Sequence, residues 1–125
     1  MSAVVDSVGW IEYLTEGPLA GEYARYLEGK ERIVTPAVIV YEVYKKLLRD
    51  WDERTATEAA AYMLKSAVAA IDSGLAVMAA EISLQHKLPM ADAMIYATAQ
   101  SQDAAVVTSD EHFKGLPGVE FVERI

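Results

Sequence analysis

The chain predicts a single α/β domain, with a mainly parallel central sheet flanked by helices on both faces. Three observations carry that expectation. Short apolar runs of the kind buried in parallel sheets (residues 3–6, 32–35, 104–108 and 119–122) alternate with longer stretches of helical periodicity. Turn punctuation falls between them, at Gly17-Pro18, Gly29, Pro89 and Pro117-Gly118. A length of 125 residues with 53% hydrophobic side chains suits one core and excludes intrinsic disorder. No repeat, low-complexity tract or linker divides residues 1–125, which read as one domain.

Ala3-Val4-Val5-Asp6 is an apolar strand ending in an acid, and Ser7 to Leu14 then reads as helix. A second helix is expected from about Leu19 to Leu27, closed by Gly29. Arg32 to Thr35 forms a second strand. Thr35-Pro36 then opens a helix, with Thr35 at the N-cap and Pro36 in the first helical position. In that helix Ala37, Val40, Tyr41, Tyr44, Leu47, Leu48 and Trp51 form a continuous apolar stripe, opposed by Glu42, Lys45, Lys46 and Arg49. Residues 54–71 read as an Ala-rich helix burying Ala56, Ala60, Met63, Ala67 and Ile71, with an irregular end near Val68 to Ile71. Ser73 is placed to cap a helix carrying Leu75, Met78, Ala79 and Ile82. Pro89 separates it from a last long helix, about Ala91 to Gln102. Ala104 to Thr108 is a buried-type strand, Phe113 sits in a short turn or helix, and Val119 to Val122 closes the sheet.

With 19 acids against 11 bases, the net charge of −8 excludes a bulk basic surface gripping nucleic acid by counterion release. The absence of Cys excludes disulfide scaffolds, thiolate zinc sites and cysteine nucleophiles, and suits a reducing compartment. No basic n-region or cleavage site opens the chain, and the apolar stretch near residues 67–80 is broken by Asp72, Ser73 and Gly74. A soluble cytoplasmic protein is expected.

The chemistry lies in acids set among apolar residues. Asp6 ends the first strand, and Asp110 follows the strand at 104–108 by two residues. Glu42 lies one turn into the helix after the second strand, and Asp92 opens the last long helix. Ligands bind outside the carboxyl ends of strands in open parallel sheets, so all four acids are candidates for one rim. Each also has a plain structural reading. Asp6 and Asp92 suit N-caps, Glu42 is spaced for an ion pair with Lys46, and Asp110 suits a turn. Together, four converging carboxylates would repel unless a cation compensates, and hard oxygen donors suit Mg²⁺ or Mn²⁺. Carboxylate-held Mg²⁺ at a sheet edge points to phosphoryl chemistry. Lys45, Lys46 and Arg49 border that rim, and read equally as a local contact for a nucleic-acid backbone or as a solvated helix face. His86 and His112 are too few and too far apart for a His-based metal site. His86 is expected on a helix surface and His112 in a loop near the rim. Trp10 and Trp51 are expected in the core, whereas Tyr96 shares a helix face with Asp92.

The segments AVVDSVGWIEYL, TPAVIVYEVYKKL, KLPMADAMIYATAQ and AVVTSDEHFKGLPGVEFV, in this order and spacing, resemble a PIN-domain ribonuclease, specifically a VapC-type toxin of a toxin–antitoxin pair. The resemblance covers nearly the whole chain. It implies that Asp6, Glu42, Asp92 and Asp110 form an acidic quartet that binds Mg²⁺ or Mn²⁺ and positions the water that cleaves single-stranded RNA. It places Ser7 and Thr108 as supporting hydroxyls. Position 8 departs from the family, which usually has a small polar residue where Val8 stands. A homodimer and inhibition by a small VapB-like antitoxin are also implied. A weakly catalytic PIN-like module acting through a partner protein is the alternative that Val8 favours.

Overall fold

The computed structural model describes residues 1–124. Five strands, β1 (Ser2–Val5), β2 (Arg32–Pro36), β3 (Ala67–Ala69), β4 (Ala105–Thr108) and β5 (Val119–Phe121), form one sheet in the order β3-β2-β1-β4-β5. Every pairing is parallel. Helices α1 (Ser7–Leu14) and α2 (Ala20–Leu27) join β1 to β2, and α3 (Ala37–Asp50) and α4 (Glu53–Met63) join β2 to β3. The chain then crosses back through α5 (Ser73–His86) and α6 (Met90–Ser101) to β4, and a 3₁₀ turn at Glu111–Phe113 leads to β5. Because the direction of winding reverses after β3, crossovers of the usual right hand put α1–α4 on one face and α5–α6 on the other. None of these helices is long and apolar enough to cross a membrane.

The centre of the sheet is buried on both sides, which explains its unbroken apolar strands. Val4 stands opposite Val106 and Val5 opposite Val107, all fully buried. Each such side chain contributes about 1.5–3 kcal/mol relative to exposure. The ladder continues one residue beyond β1, where the Asp6 N–H donates to the Val107 carbonyl at 3.0 Å. A carboxylate is thereby fixed to the rim of the core. Gly9 lets α1 settle against β1. A Cβ there would lie 2.7 Å from Val5 Cγ1 and would overlap the buried Tyr23 ring.

Several local expectations give way to tertiary pairing. Residues 54–71 are not one helix: α4 stops at Met63, and Ala67–Ala69 joins β2 as an edge strand. Alanine favours helix locally, but the open edge of β2 offers partners for backbone groups, and the pairing prevails. Thr35 does not cap α3. It lies in β2 with its Oγ1 2.6 Å from Ser66 Oγ, while Ser66 Oγ also donates to the Met63 carbonyl, tying the end of α4 to the sheet. Pro36 takes the N-cap position of α3. The buried residues of α3 are Ile39, Val43 and Leu47, whereas Tyr41, Leu48 and Trp51 are 60%, 46% and 49% exposed. That helix is apolar over more than half its circumference, so periodicity alone does not select the face. On α4 the buried set is Ala56, Ala59 and Met63. Asp72, rather than Ser73, caps α5, its Oδ1 accepting from the Leu75 N–H at 2.9 Å.

Candidate active site

Four segments far apart in sequence deliver acids to the carboxyl edge of the sheet, where β1 and β4 lie side by side and the winding reverses. This is the topological switch point at which open parallel sheets bind ligands. Asp6 follows β1, and Asp110 lies two residues past β4. Asp92 lies in the first turn of α6, and Glu42 sits in the second turn of α3. The charges of Asp92 and Asp110 act on Asp6, and those of Asp6, Asp92 and Asp110 act on Glu42.

Asp6 is 3% exposed and doubly held. Its Oδ1 accepts from the Ser7 N–H at 2.7 Å, which caps α1, and its Oδ2 accepts from Thr108 Oγ1 at 2.7 Å. Thr108, fully buried, also accepts from the Asp110 N–H at 2.9 Å, so one hydroxyl ties the two acids together across β1 and β4. Ser7 acts on Asp6 through its backbone, while its hydroxyl faces Glu42. Beneath this layer, the Tyr23 and Ser109 hydroxyls bond at 2.6 Å in the core.

Burial pushes the Asp6 carboxyl up to about 6, against the opposing hydrogen bonds from Thr108 and Ser7. Burial, reinforced by the charges of Asp6 and Asp92, raises Glu42 to about 7. Asp92 is also raised, first by burial and then by Asp110, with His112 opposing. Among the described residues, Glu42 Oε1 is buried without a hydrogen-bond partner. Neighbouring carboxylates raise both Asp6 and Glu42, and no basic side chain stands among the groups opposing them. The donors are hard oxygens converging from four elements, with one orphaned atom among them. Of these, Asp92 and Asp110 join His112 in bringing one ligand atom each within 4.8 Å of one another, a group that could hold a metal ion.

His112, expected in a loop near the rim, also touches two of the acids, a contact that the sequence reading did not assign. His112 Nδ1 lies 2.9 Å from Asp92 Oδ2 and 3.3 Å from Asp110 Oδ1, and the His112 N–H donates to Asp110 Oδ1 at 2.9 Å. The two carboxylates lift the imidazole above its ordinary range, led by the hydrogen bond to Asp92. Its place two residues after Asp110, within a capped turn, was the available signal. Tyr96, by contrast, is 1% exposed and donates its hydroxyl to the Pro117 carbonyl, with His86 edge-on to its ring at 5.6 Å. It holds the loop before β5 rather than facing the acids.

The basic stripe divides. Lys46 pairs with Asp50 at 3.1 Å, not with Glu42, and shares a groove with Ser7, Val8, Ile11 and Trp51. Lys45 and Arg49 line a different groove with Tyr41, Tyr44 and Leu48; there Arg49 pairs with Asp50 at 2.8 Å and Lys45 lies over the Tyr41 ring.

A family model described as PIN domain matches residues 3–119. No curated protein matches the chain by sequence. Among solved structures, the chain is similar to the toxin-antitoxin complex from Klebsiella pneumoniae (23% identity, TM-score 0.79, 98% of this chain and 99% of that one). It is similar also to VapC20 of Mycobacterium tuberculosis, a sarcin-ricin loop cleaving toxin (22% identity, TM-score 0.77, 98% of each chain). A third likeness is to DNA-bound VapBC from Salmonella typhimurium (16% identity, TM-score 0.76, 98% of each chain). At such identities the structural likeness speaks for the fold, while the family match spans nearly every element that builds the acidic edge. The chain belongs to the PIN domain family.

Proposed function

We propose that this protein is a metal-dependent endoribonuclease that cleaves single-stranded RNA by attack of water on a phosphodiester, and that it is the toxin of a toxin–antitoxin pair. The observation that carries the reading is the convergence of Asp6, Glu42, Asp92 and Asp110, two of them raised to about 6 and 7 and one with an orphaned oxygen. Membership of the PIN domain family and likeness to toxins of this fold support it.

Asp6, Asp92 and Asp110 would hold the principal Mg²⁺ or Mn²⁺ ion. Such an ion lowers the pKa of an attacking water and offsets charge on the scissile phosphate. Glu42 would ligate at the same centre or accept the proton of the attacking water. The buried Glu42 Oε1, which has no hydrogen-bond partner among the described residues, is the atom free to take that proton. Thr108 and the Ser7 N–H fix the orientation of Asp6, as outer hydrogen bonds do for metal ligands. Lys46 shares a groove with Ser7 and would meet the RNA backbone there.

The partners in this reading are a small VapB-like antitoxin and a second copy of the chain. The exposed Tyr41, Leu48 and Trp51 side chains supply apolar surface for such contacts. The deciding experiment incubates purified protein with single-stranded RNA and Mn²⁺ or Mg²⁺, beside Asp6→Asn and Asp92→Asn. Cleavage by the parent alone, abolished by chelator, is expected. Equal cleavage by parent and variants, or none by any of them, overturns the enzyme reading and leaves the partner-binding module.

A further inference from the structure

We infer that His112 is a nitrogen ligand of this centre and biases it toward first-row transition ions such as Mn²⁺ over Mg²⁺. The inference rests on the reading of the four carboxylates as a cation site. His112 Nδ1 stands 2.9 Å from Asp92 Oδ2 and 3.3 Å from Asp110 Oδ1. One ligand atom from each of the three residues lies within 4.8 Å of the other two. Adjacent donors around an octahedral ion bound at about 2.1 Å are about 3.0 Å apart. The ring nitrogen therefore already occupies the spacing of a neighbouring ligand.

The backbone presents the ring in this way. Asp110 caps the 3₁₀ turn by accepting from the His112 N–H at 2.9 Å, and Phe113, the next residue, is fully buried. The turn is pinned on both sides of His112, which limits the ordering entropy the ring must lose on ligation. More than half of the His112 side chain is exposed, so its other nitrogen keeps its proton in contact with water. Mg²⁺ favours carboxylate and water oxygens and dehydrates reluctantly, whereas first-row transition ions gain more from an imidazole donor. A carboxylate-only site lacks that source of discrimination.

The chain has two histidines, and His86 is edge-on to Tyr96, which makes assignment direct. The test adds Mn²⁺ alone to the full chain, without RNA, and reads ¹⁴N coupling to the ion by pulsed electron paramagnetic resonance. Calorimetric titrations with Mn²⁺ and Mg²⁺ run alongside. Coupling is expected in the parent and in His86→Gln, and lost in His112→Gln. His112→Gln should also lower Mn²⁺ affinity about tenfold or more while changing Mg²⁺ affinity far less. The capping bond uses the His112 backbone and the ring is exposed, so the variant retains its fold, checked by its melting curve. Mn²⁺ bound by the parent without nitrogen coupling, or an equal loss for both ions, overturns the assignment while the carboxylate centre stands. Failure of the parent to bind Mn²⁺ at all removes both that centre and the inference.

Discussion

Replacing Asp6 with Asn should make the metal-free protein more stable at neutral pH, while abolishing its response to divalent cations. The Asp6 carboxyl stands at about 6 in the fold, against an ordinary 3.8, chiefly because it is buried. The folded chain thus holds this proton more tightly than the unfolded chain, and stability falls as pH rises from about 4 to 6. At 1.36 kcal/mol per pH unit, charged Asp6 costs the metal-free fold about 3 kcal/mol at pH 8. Asparagine has no charged form and still offers one acceptor to the Ser7 N–H. The other side of its amide must re-pair with Thr108, so a net gain of about 2 kcal/mol is expected. For a domain of this size that is a rise in Tm of roughly 8 °C. The assay is thermal denaturation of both proteins in chelator from pH 4 to pH 8. The two curves should cross between about pH 4 and 5, with the variant the more stable above the crossing, and the gap should be complete by about pH 7. Adding Mn²⁺ should raise the Tm of the parent and leave the variant unmoved. If Asp6→Asn melts at or below the parent at pH 8 in chelator, the edge carries no uncompensated charge and the cation argument loses its basis.

Glu42→Gln should flatten the remaining pH dependence in chelator. Glu42 stands at about 7 against an ordinary 4.5, so its destabilising contribution grows between those values and a titration of melting temperature should show its loss. Thr108→Val removes the donor to Asp6 and the acceptor for the Asp110 N–H; it should cost about 1–3 kcal/mol in denaturant melts and weaken Mn²⁺ binding by roughly 10–100-fold. Gly9→Ala forces a Cβ against Val5 and Tyr23, and should lower stability by about 2–3 kcal/mol without changing the residues of the acidic edge. Lys46→Ala should weaken RNA binding and reduce the salt slope by about one, measured by fluorescence anisotropy, whereas Lys45→Ala should leave both unchanged.

The sequence by itself determined the fold class and where its carboxylates could meet. Parallel strands buried on both faces must read as unbroken apolar runs, so Ala3-Val4-Val5 and Ala105-Val106-Val107 were visible as the centre of a sheet. Acids at the ends of those runs stand at the sheet's carboxyl edge by chain geometry alone, which is why Asp6 and Asp110 could be singled out. Only the tertiary structure decided the rest. The edge strand Ala67–Ala69 exists because β2 offers backbone partners, a non-local term that outweighs alanine's helical preference. The buried face of α3 is Ile39, Val43 and Leu47 because neighbours cover that side, leaving equally apolar Tyr41, Leu48 and Trp51 in solvent. His112 joins Asp92 and Asp110 across twenty and two residues only because the 3₁₀ turn folds back onto the start of α6. Periodicity reports which faces a helix has, whereas the choice among those faces and the side chains brought to them depend on contacts between segments that local pattern does not encode.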